Sequence, residues 1–464
     1  MTIWPPKKGD LPRPAYRSLA KCVLRAIEAG DLTGGDRLPP QRELAYDLGL
    51  SVQTVSRAYE DLIRVGAVTG EVGRGTFVNS HHSDSHKPHF YLPVNQRETL
   101  IDLSALKPVC DQIHIDHMRK ALERLSVNLP ANTVYSFRPT AANHYYREMA
   151  ARWLARCGLQ PPRETIVTTN GNTSAMTVAL MTAAKPGDIV ATEEIGHHTL
   201  KPQATYLGLR LKGLPIDREG ILPDSLDRLC ATKPVKALYA MPSGLSPTAT
   251  VMGAQRRADL VAICRKHDIL IIENDAWGPV QPDRLPPLAA LAPERSFYFT
   301  SLTKCLMPGL RIGYLVAPET LREAAKNRHL VTNWMATSLM LDIASHWIED
   351  GVAAELLDWQ MSALTARNRI AAEQLAGVPH NSSPGGMHVW LPLPVDWDEQ
   401  AFVNQARHAG GALAPGAYFR TNDAPGAPAV RLCLGAASEQ DLTVGLRIIC
   451  RILDRQPELP VPTL

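Results

Sequence analysis

One lysine in this chain stands where an ammonium ion is costly. The run Ser296-Phe-Tyr-Phe-Thr-Ser301 is aromatic and apolar and ends in hydroxyl residues; Lys304 follows it, and Pro308-Gly309 turns the chain into a second apolar run. Desolvation disfavours the charged form and lowers a lysine's pKa. The free amine that results is the nucleophile that forms a Schiff base with an aldehyde. Thr300, Ser301 and Arg311 lie close in sequence. They suit a phosphate, the hydroxyls through single hydrogen bonds and the guanidinium through a bidentate pair. A lone lysine beside a buried strand is ordinarily a surface residue. The hydroxyls before Lys304 and the Pro-Gly-Leu-Arg after it point instead to a covalent cofactor site.

Other polar clusters fall where short apolar runs end. Runs at 165–169, 189–192, 237–240, 269–272, 297–300 and 312–316 alternate with helical segments, which predicts a mainly parallel sheet with helices on both faces. Ligands bind such sheets beyond the C-terminal ends of the strands. The cluster Asn170-Gly171-Asn172-Thr173-Ser174 precedes a predicted helix at 175–184. Glycine followed by open amides at a helix N-terminus takes an anion, although the same residues also serve as an ordinary helix cap. Further clusters are Glu193-Glu-Ile-Gly-His197-His198, Met241-Pro-Ser-Gly-Leu-Ser246-Pro247, Glu273-Asn274-Asp275-Ala-Trp277-Gly278 and Val430-Arg431-Leu-Cys-Leu-Gly435. Strand periodicity puts Asp275 on the face opposite Asn274.

The N-terminal stretch has a different texture. Apolar residues at helical spacing predict a helix over 16–30, a second over Gln41–Leu48 stopped by Gly49, and a third capped by Ser51. In the third, Val52, Val55, Tyr59 and Leu62 are expected to face inward, leaving Gln53, Thr54, Ser56 and Arg57 near the outer face. Two short helices joined by a tight turn follow helix-turn-helix logic. Val68 to Val78 reads as a glycine-turned hairpin with Arg74 at its tip, where an arginine suits a minor groove.

Composition sets the bounds. The chain has 464 residues, 45% of them hydrophobic and 20% charged, and its 49 basic against 46 acidic residues give a net charge of only +3. Net charge alone therefore does not argue for nucleic acid; residues 1–79 hold 11 basic against 9 acidic residues, and placement must carry the case. The eight scattered cysteines include no Cys-x-x-Cys pair, so reduced thiols in a cytoplasm are expected, and no apolar run approaches a membrane span. The polar stretch around 79–89 reads as a linker. Its His81, His82, His86 and His89 lack Cys or carboxylate partners at ligand spacing, so no metal site is expected.

Two resemblances follow from these motifs. Gly35-Asp-Arg-Leu-Pro-Pro-Gln-Arg-Glu-Leu-Ala, Thr54-Val-Ser-Arg-Ala-Tyr and Gly70-Glu-Val-Gly-Arg-Gly-Thr-Phe-Val resemble the GntR-family winged helix. That resemblance implies contacts to an operator in double-stranded DNA from Arg37, Gln41, Arg42, Gln53, Thr54, Ser56, Arg57 and Arg74. Ser301-x-x-Lys304 with Pro308-Gly-x-Arg311-x-Gly resembles the lysine segment of fold-type I aminotransferases, which bind pyridoxal 5′-phosphate (PLP). The second resemblance implies that Gly171, Asn172 and Thr173 cradle the phosphate with Ser301 and Arg311, and that Lys304 holds the aldehyde. It also puts His197 at the stacking position and Arg431 on a substrate carboxylate, with Tyr135 near a partner subunit's phosphate. Where the family has an Asn, this chain has Ser246. Where the family reads Glu-Asp-Asp-x-Tyr-Gly, it has Asn274 for the carboxylate on the ring nitrogen and Trp277 for the tyrosine.

Together the two resemble the MocR subfamily of regulators. The implied architecture is α/β: a winged helix-turn-helix at 1–79, a linker at 80–100, and an aminotransferase-like effector-binding and dimerisation domain at 101–464. The implied function is a cytoplasmic homodimer that senses an amine or amino acid by aldimine exchange, with little or no turnover, because asparagine does not stabilise a pyridinium as a carboxylate does. Two alternatives stay open: an aminotransferase with a vestigial winged helix, and a regulator that binds PLP weakly or not at all.

Overall fold

The computed structural model describes residues 4–6, 11–12, 14–29, 31–33, 35–64, 67–71, 75–78, 100–135, 143–281, 283–422 and 426–454. The chain divides into two compact units, Met1–Tyr91 and Leu92–Leu464. The linker expected at 80–100 lies, Leu100 apart, outside the described residues, as do Arg74 and the four histidines near residue 85.

In the first unit, α1 (Ala15–Ala29), α2 (Gln41–Leu48) and α3 (Val52–Arg64) precede an antiparallel hairpin of β1 (Val68–Glu71) and β2 (Gly75–Val78). Gly49 adopts φ 62°, a left-handed conformation that glycine reaches without strain, and so ends α2. The Ser51 hydroxyl accepts the Thr54 amide at 3.1 Å, capping α3 as expected. Leu19, Val23, Leu44, Leu48, Val55, Tyr59 and Leu62 form the core, closed by Val68 and Val78 of the hairpin. Each such aliphatic side chain contributes about 1.5–3 kcal/mol on burial. Val52 departs from expectation: at the first turn of α3 it remains 45% exposed, beyond the reach of that core.

Among the described residues the second unit is built on fifteen further strands. In chain order they are β3 (Ile101–Asp102), β4 (Ile166–Thr169), β5 (Ile189–Glu193), β6 (Arg210–Leu214), β7 (Ile216–Asp217), β8 (Gly220–Ile221), β9 (Val235–Ala240), β10 (Leu270–Asn274), β11 (Ser296–Ser301), β12 (Gly313–Val316), β13 (Asn381–Ser382), β14 (His388–Pro392), β15 (Gly411–Ala412), β16 (Ala414–Pro415) and β17 (Ala429–Cys433). Seven make the large sheet in the order β4-β12-β11-β10-β9-β5-β6. It is parallel except that β12 runs against both β11 and β4. All six expected strands are present. The edge strand β6 went unforeseen because Arg210 and Lys212 interrupt its apolar pattern. Also unforeseen are a small antiparallel sheet, β13-β14-β17-β16, and the pairing of β3 with β15.

The two faces of the large sheet bury different layers. On one, Tyr239, Ile272 and Phe299 pack with Ala175, Met176 and Ala179 of the helix Asn172–Ala183. On the other, Tyr298 and Tyr314 pack with Trp153, Trp277 and Cys305. Strand alternation therefore decides which residues at the ends of β10 and β11 look toward the N-terminus of the helix Asn172–Ala183. Among the described residues no helix is long and apolar enough to cross a membrane.

Candidate functional site

The C-terminal ends of β4, β10 and β11 meet the N-terminus of the helix Asn172–Ala183. This helix begins three residues earlier than the apolar pattern implied, so Asn172, Thr173 and Ser174 form its first turn behind Gly171 at φ 82°. Among the described residues no side chain caps it, and the first-turn amides of a helix have no partner within the helix. The guanidinium of Arg311 lies against Gly171, with Nη2 only 3.0 Å from where a Cβ on that glycine would sit. Gly313 packs under the same turn, where its own Cβ would meet Gly171 Cα at 3.0 Å. Two glycines thus let an arginine and a helix N-terminus converge. Arg311 itself has φ 52°, a conformation that costs a residue with a side chain about 1–3 kcal/mol and is retained where the surroundings demand it. Ser301 is buried at the end of β11, and the side-chain oxygens Asn172 Oδ1, Ser174 Oγ and Thr303 Oγ1 are buried without hydrogen-bond partners.

Lys304 Nζ donates to the carbonyl of Leu106. Burial, then the positive charges of Arg431 and Arg311, lower its pKa to about 8. The same two influences, burial first and then Lys304 and Arg431, hold His197 to about 4, so its ring is neutral at neutral pH. His197 Nδ1 lies 3.0 Å from the Thr199 hydroxyl, and its ring is tilted 42° to that of His198 at 5.0 Å.

Arg431 is buried to 1% exposure in β17. Its Nη2 donates to the Ser104 carbonyl at 2.9 Å and its Nη1 to Ser246 Oγ at 3.3 Å. Its guanidinium lies 4.7 Å from the centre of the Phe419 ring. Among the described residues no carboxylate pairs with it, and its Nε has no acceptor. A buried cation without a counter-charge is unfavourable until an anion arrives. Ser246, which accepts from Arg431, keeps its own O–H free to donate.

The ring end differs. Asn274 Oδ1 accepts from Asn172 Nδ2 at 3.3 Å, and Asn274 Nδ2 donates to the Tyr239 hydroxyl at 2.6 Å. The expected ring-nitrogen position is therefore part of a neutral amide–phenol chain. Asp275 points to the other side of the sheet. Its carboxylate accepts from Arg284, the Tyr298 hydroxyl and the Gly278 amide, and its side chain is fully buried. Trp277 requires a correction: its single N–H donates to the Gly244 carbonyl, and its ring stacks on His388 at 5.5 Å and 21°. It has no donor left for a cofactor oxygen. His388, held near pKa 3 by burial and by Arg431, is a second neutral ring there.

Pyridoxal phosphate suits the first end by the chemistry of its donors. An uncapped helix N-terminus, an arginine seated against Gly171 and the unpartnered hydroxyls of Ser174 and Thr303 match a phosphate, and a lysine of lowered pKa matches an aldehyde. The sequence missed Tyr239, Ser104, Leu106, Arg284 and His388. Only Tyr239, a phenol inside an apolar strand, carried a local signal. Tyr135 is 81% exposed, and residues 136–140 that follow it lie outside the described residues. Among the described residues no group of His, Cys, Asp and Glu is arranged to hold a metal.

In the first unit, Arg42, Gln53 and Arg57 are exposed and Gln41, Thr54 and Ser56 are half-buried. The Thr54 hydroxyl pairs with Ser51 at 2.7 Å, and Ser56 Oγ reaches Glu60 at 3.4 Å. Arg37 is exposed, bridges to Phe77 of β2 and lays its guanidinium against Gly75, where a Cβ would meet Nε at 2.7 Å. The arginine is thereby tied to the hairpin.

Residues 98–449 match the family model described as aminotransferase class I and II, and residues 15–78 match bacterial regulatory proteins of the gntR family. The HTH-type transcriptional regulator YdeF of Bacillus subtilis is 26% identical over 455 residues, covering 97% of each chain. The HTH-type pyridoxine biosynthesis transcriptional regulator PdxR of Corynebacterium glutamicum is 30% identical over 315 residues, 65% of each. Among solved structures, an archaeal alanine:glyoxylate aminotransferase matches with a TM-score of 0.70 and 25% identity, covering 76% of this chain and 90% of its own.

Proposed function

The chain belongs to the aminotransferase class I and II family and carries a gntR-family segment ahead of that domain, and from this premise we propose that it is a DNA-binding transcription regulator that reads an amine or amino acid through pyridoxal phosphate, with little or no turnover. Residues 1–79 bind the operator, 80–100 link, and 101–464 bind the effector and form a homodimer in the cytoplasm.

The observation that carries this reading is the split after β10, with Asn274 on the site face and Asp275 committed to Arg284 on the other. When bound, PLP would supply an aldehyde that primary amines capture reversibly, and, only where its ring nitrogen is kept protonated, a ring that withdraws electrons from the bound amine's α-carbon. Gly171, Asn172, Thr173, Ser301 and Arg311 would hold its phosphate. Lys304 offers the uncharged amine and takes a proton when displaced. Arg431 receives the effector's carboxylate, and Ser246 donates its hydroxyl nearby. Asn274 brings no negative charge to keep a ring nitrogen protonated, so capture is served while α-carbon chemistry is not. The name of the Corynebacterium relative, tied to pyridoxine biosynthesis, supports vitamin B6 chemistry at this site.

The test is the absorbance spectrum of the purified protein with PLP, titrated with amines, alongside a keto-acid assay. The expected result is a visible band that is absent in Lys304→Ala and shifts with an effector amine, without keto-acid formation. A band unaffected by Lys304→Ala, or steady conversion of an amino acid to its keto acid, would overturn the proposal.

A further inference from the structure

Tyr16, near the start of α1, has its ring partly buried against the core of the first unit. Arg57, from the outer face of α3, lays its guanidinium over that ring, with Cζ 4.3 Å from the ring centre. Arg17 lies 5.7 Å from the same centre, and its Nε donates to the Tyr16 hydroxyl at 3.0 Å. Both arginines are exposed, and among the described residues no carboxylate pairs with either. One aromatic ring thus gathers two guanidinium groups from two helices, with no carboxylate partner for either among the described residues.

Such an arrangement is unfavourable for the protein alone and favourable beside a polyanion. Like charges repel, and the cation–π contact of an exposed arginine is weak. A guanidinium held by its face keeps its edge donors free and aimed in its own plane. The rotamer freedom an arginine loses on binding is already lost before the partner arrives. Helix residues that meet DNA outside the recognition helix mostly contact the backbone rather than base edges.

We infer that Tyr16 is a positioning residue that fixes Arg57 for DNA, and that Arg17 beside it is a further contact to a backbone phosphate. The inference rests on the DNA-binding reading of the first unit.

Fluorescence anisotropy of the full-length protein tests it, on a labelled duplex from the promoter region of its own gene and on a scrambled duplex of equal length, across a salt series. Arg17→Ala is expected to weaken both duplexes alike and to reduce the slope of log affinity against log salt by about one. Tyr16→Leu, which keeps an apolar contact with the core, is expected to weaken binding about fivefold, and Tyr16→Phe to restore the part that depends on the ring. In an Arg57→Ala background, Tyr16→Leu should lose most of its effect, keeping only the part that passes through the Arg17–hydroxyl contact, because coupled residues are not additive. An unchanged salt slope in Arg17→Ala, or full additivity of Tyr16→Leu with Arg57→Ala, overturns the inference while DNA binding stands. A wild-type protein that binds neither duplex at low salt overturns both.

Discussion

Asn274 and Asp275 are adjacent at the end of one strand, yet the sheet gives them unrelated surroundings. Asn274 joins Asn172 and Tyr239 beside the helix N-terminus, whereas Asp275 is sealed behind the sheet with Arg284 and Tyr298. The same division separates the two ends of the candidate site. At the anchor end the helix lacks a cap, Arg311 rests on Gly171, and several oxygens have no partner. At the ring end the Trp277 N–H is spent on the Gly244 carbonyl and Asn274 is tied to Tyr239 and Asn172, a neutral set without a carboxylate. On the proposed reading, holding a cofactor and activating it are thus separable properties that rest on different residues.

The largest expected effect comes from breaking the sealed side. Arg284→Met leaves the Asp275 carboxylate buried and unpaired, which should cost about 3–5 kcal/mol of stability, read as a drop in melting temperature. If Asp275 were a cofactor ligand in reserve, the variant would instead keep its stability and change its PLP spectrum. The pH dependence tests the anchor end. Because the pKa of Lys304 is lowered to about 8, its free amine increases with pH up to that value and no further. The rate of PLP loading, followed by absorbance, should rise about tenfold per pH unit below 8 and level off above it; an ordinary exposed lysine would keep rising toward pH 10. Arg311→Lys keeps the charge but loses the bidentate fork, and should weaken PLP binding about tenfold in a titration. The smallest effect sharpens the ring end: Asn274→Asp returns a carboxylate to the site face and should raise keto-acid formation a few-fold above background. No change there would mean that position 274 does not meet the ring.

Much of the architecture was readable because apolar runs announce buried parallel strands and glycines announce turns. The six strands, the helix-turn-helix and the positions of Lys304, Ser301 and Arg311 all rest on local signals. What escaped was non-local. The commitment of Asp275 to Arg284 depends on the path of the loop between them. Lys304 meets the carbonyl of a residue 198 positions earlier, for which no spacing rule exists. β6 escaped because edge strands tolerate charge, and Val52 because helical periodicity cannot tell where a core ends.

Ser104 and Leu106 carry a consequence for how occupancy is felt. Their carbonyls hold two of the site's cations, Arg431 and Lys304, and the Ser104 carbonyl also receives Cys433 Sγ at 3.4 Å. A ligand that recruits Lys304 strips the Leu106 carbonyl of its donor, and one that recruits Arg431 leaves the Ser104 carbonyl with the weaker thiol alone; an orphaned buried acceptor costs about 1–3 kcal/mol. That debt falls on a stretch already stiffened by the Asp102 side chain, which accepts from the amides of Ser104 and Ala105 at 2.9 and 3.2 Å. On the proposed reading, filling the site would put strain on residues 102–106 of the second unit, beside the β3–β15 pair.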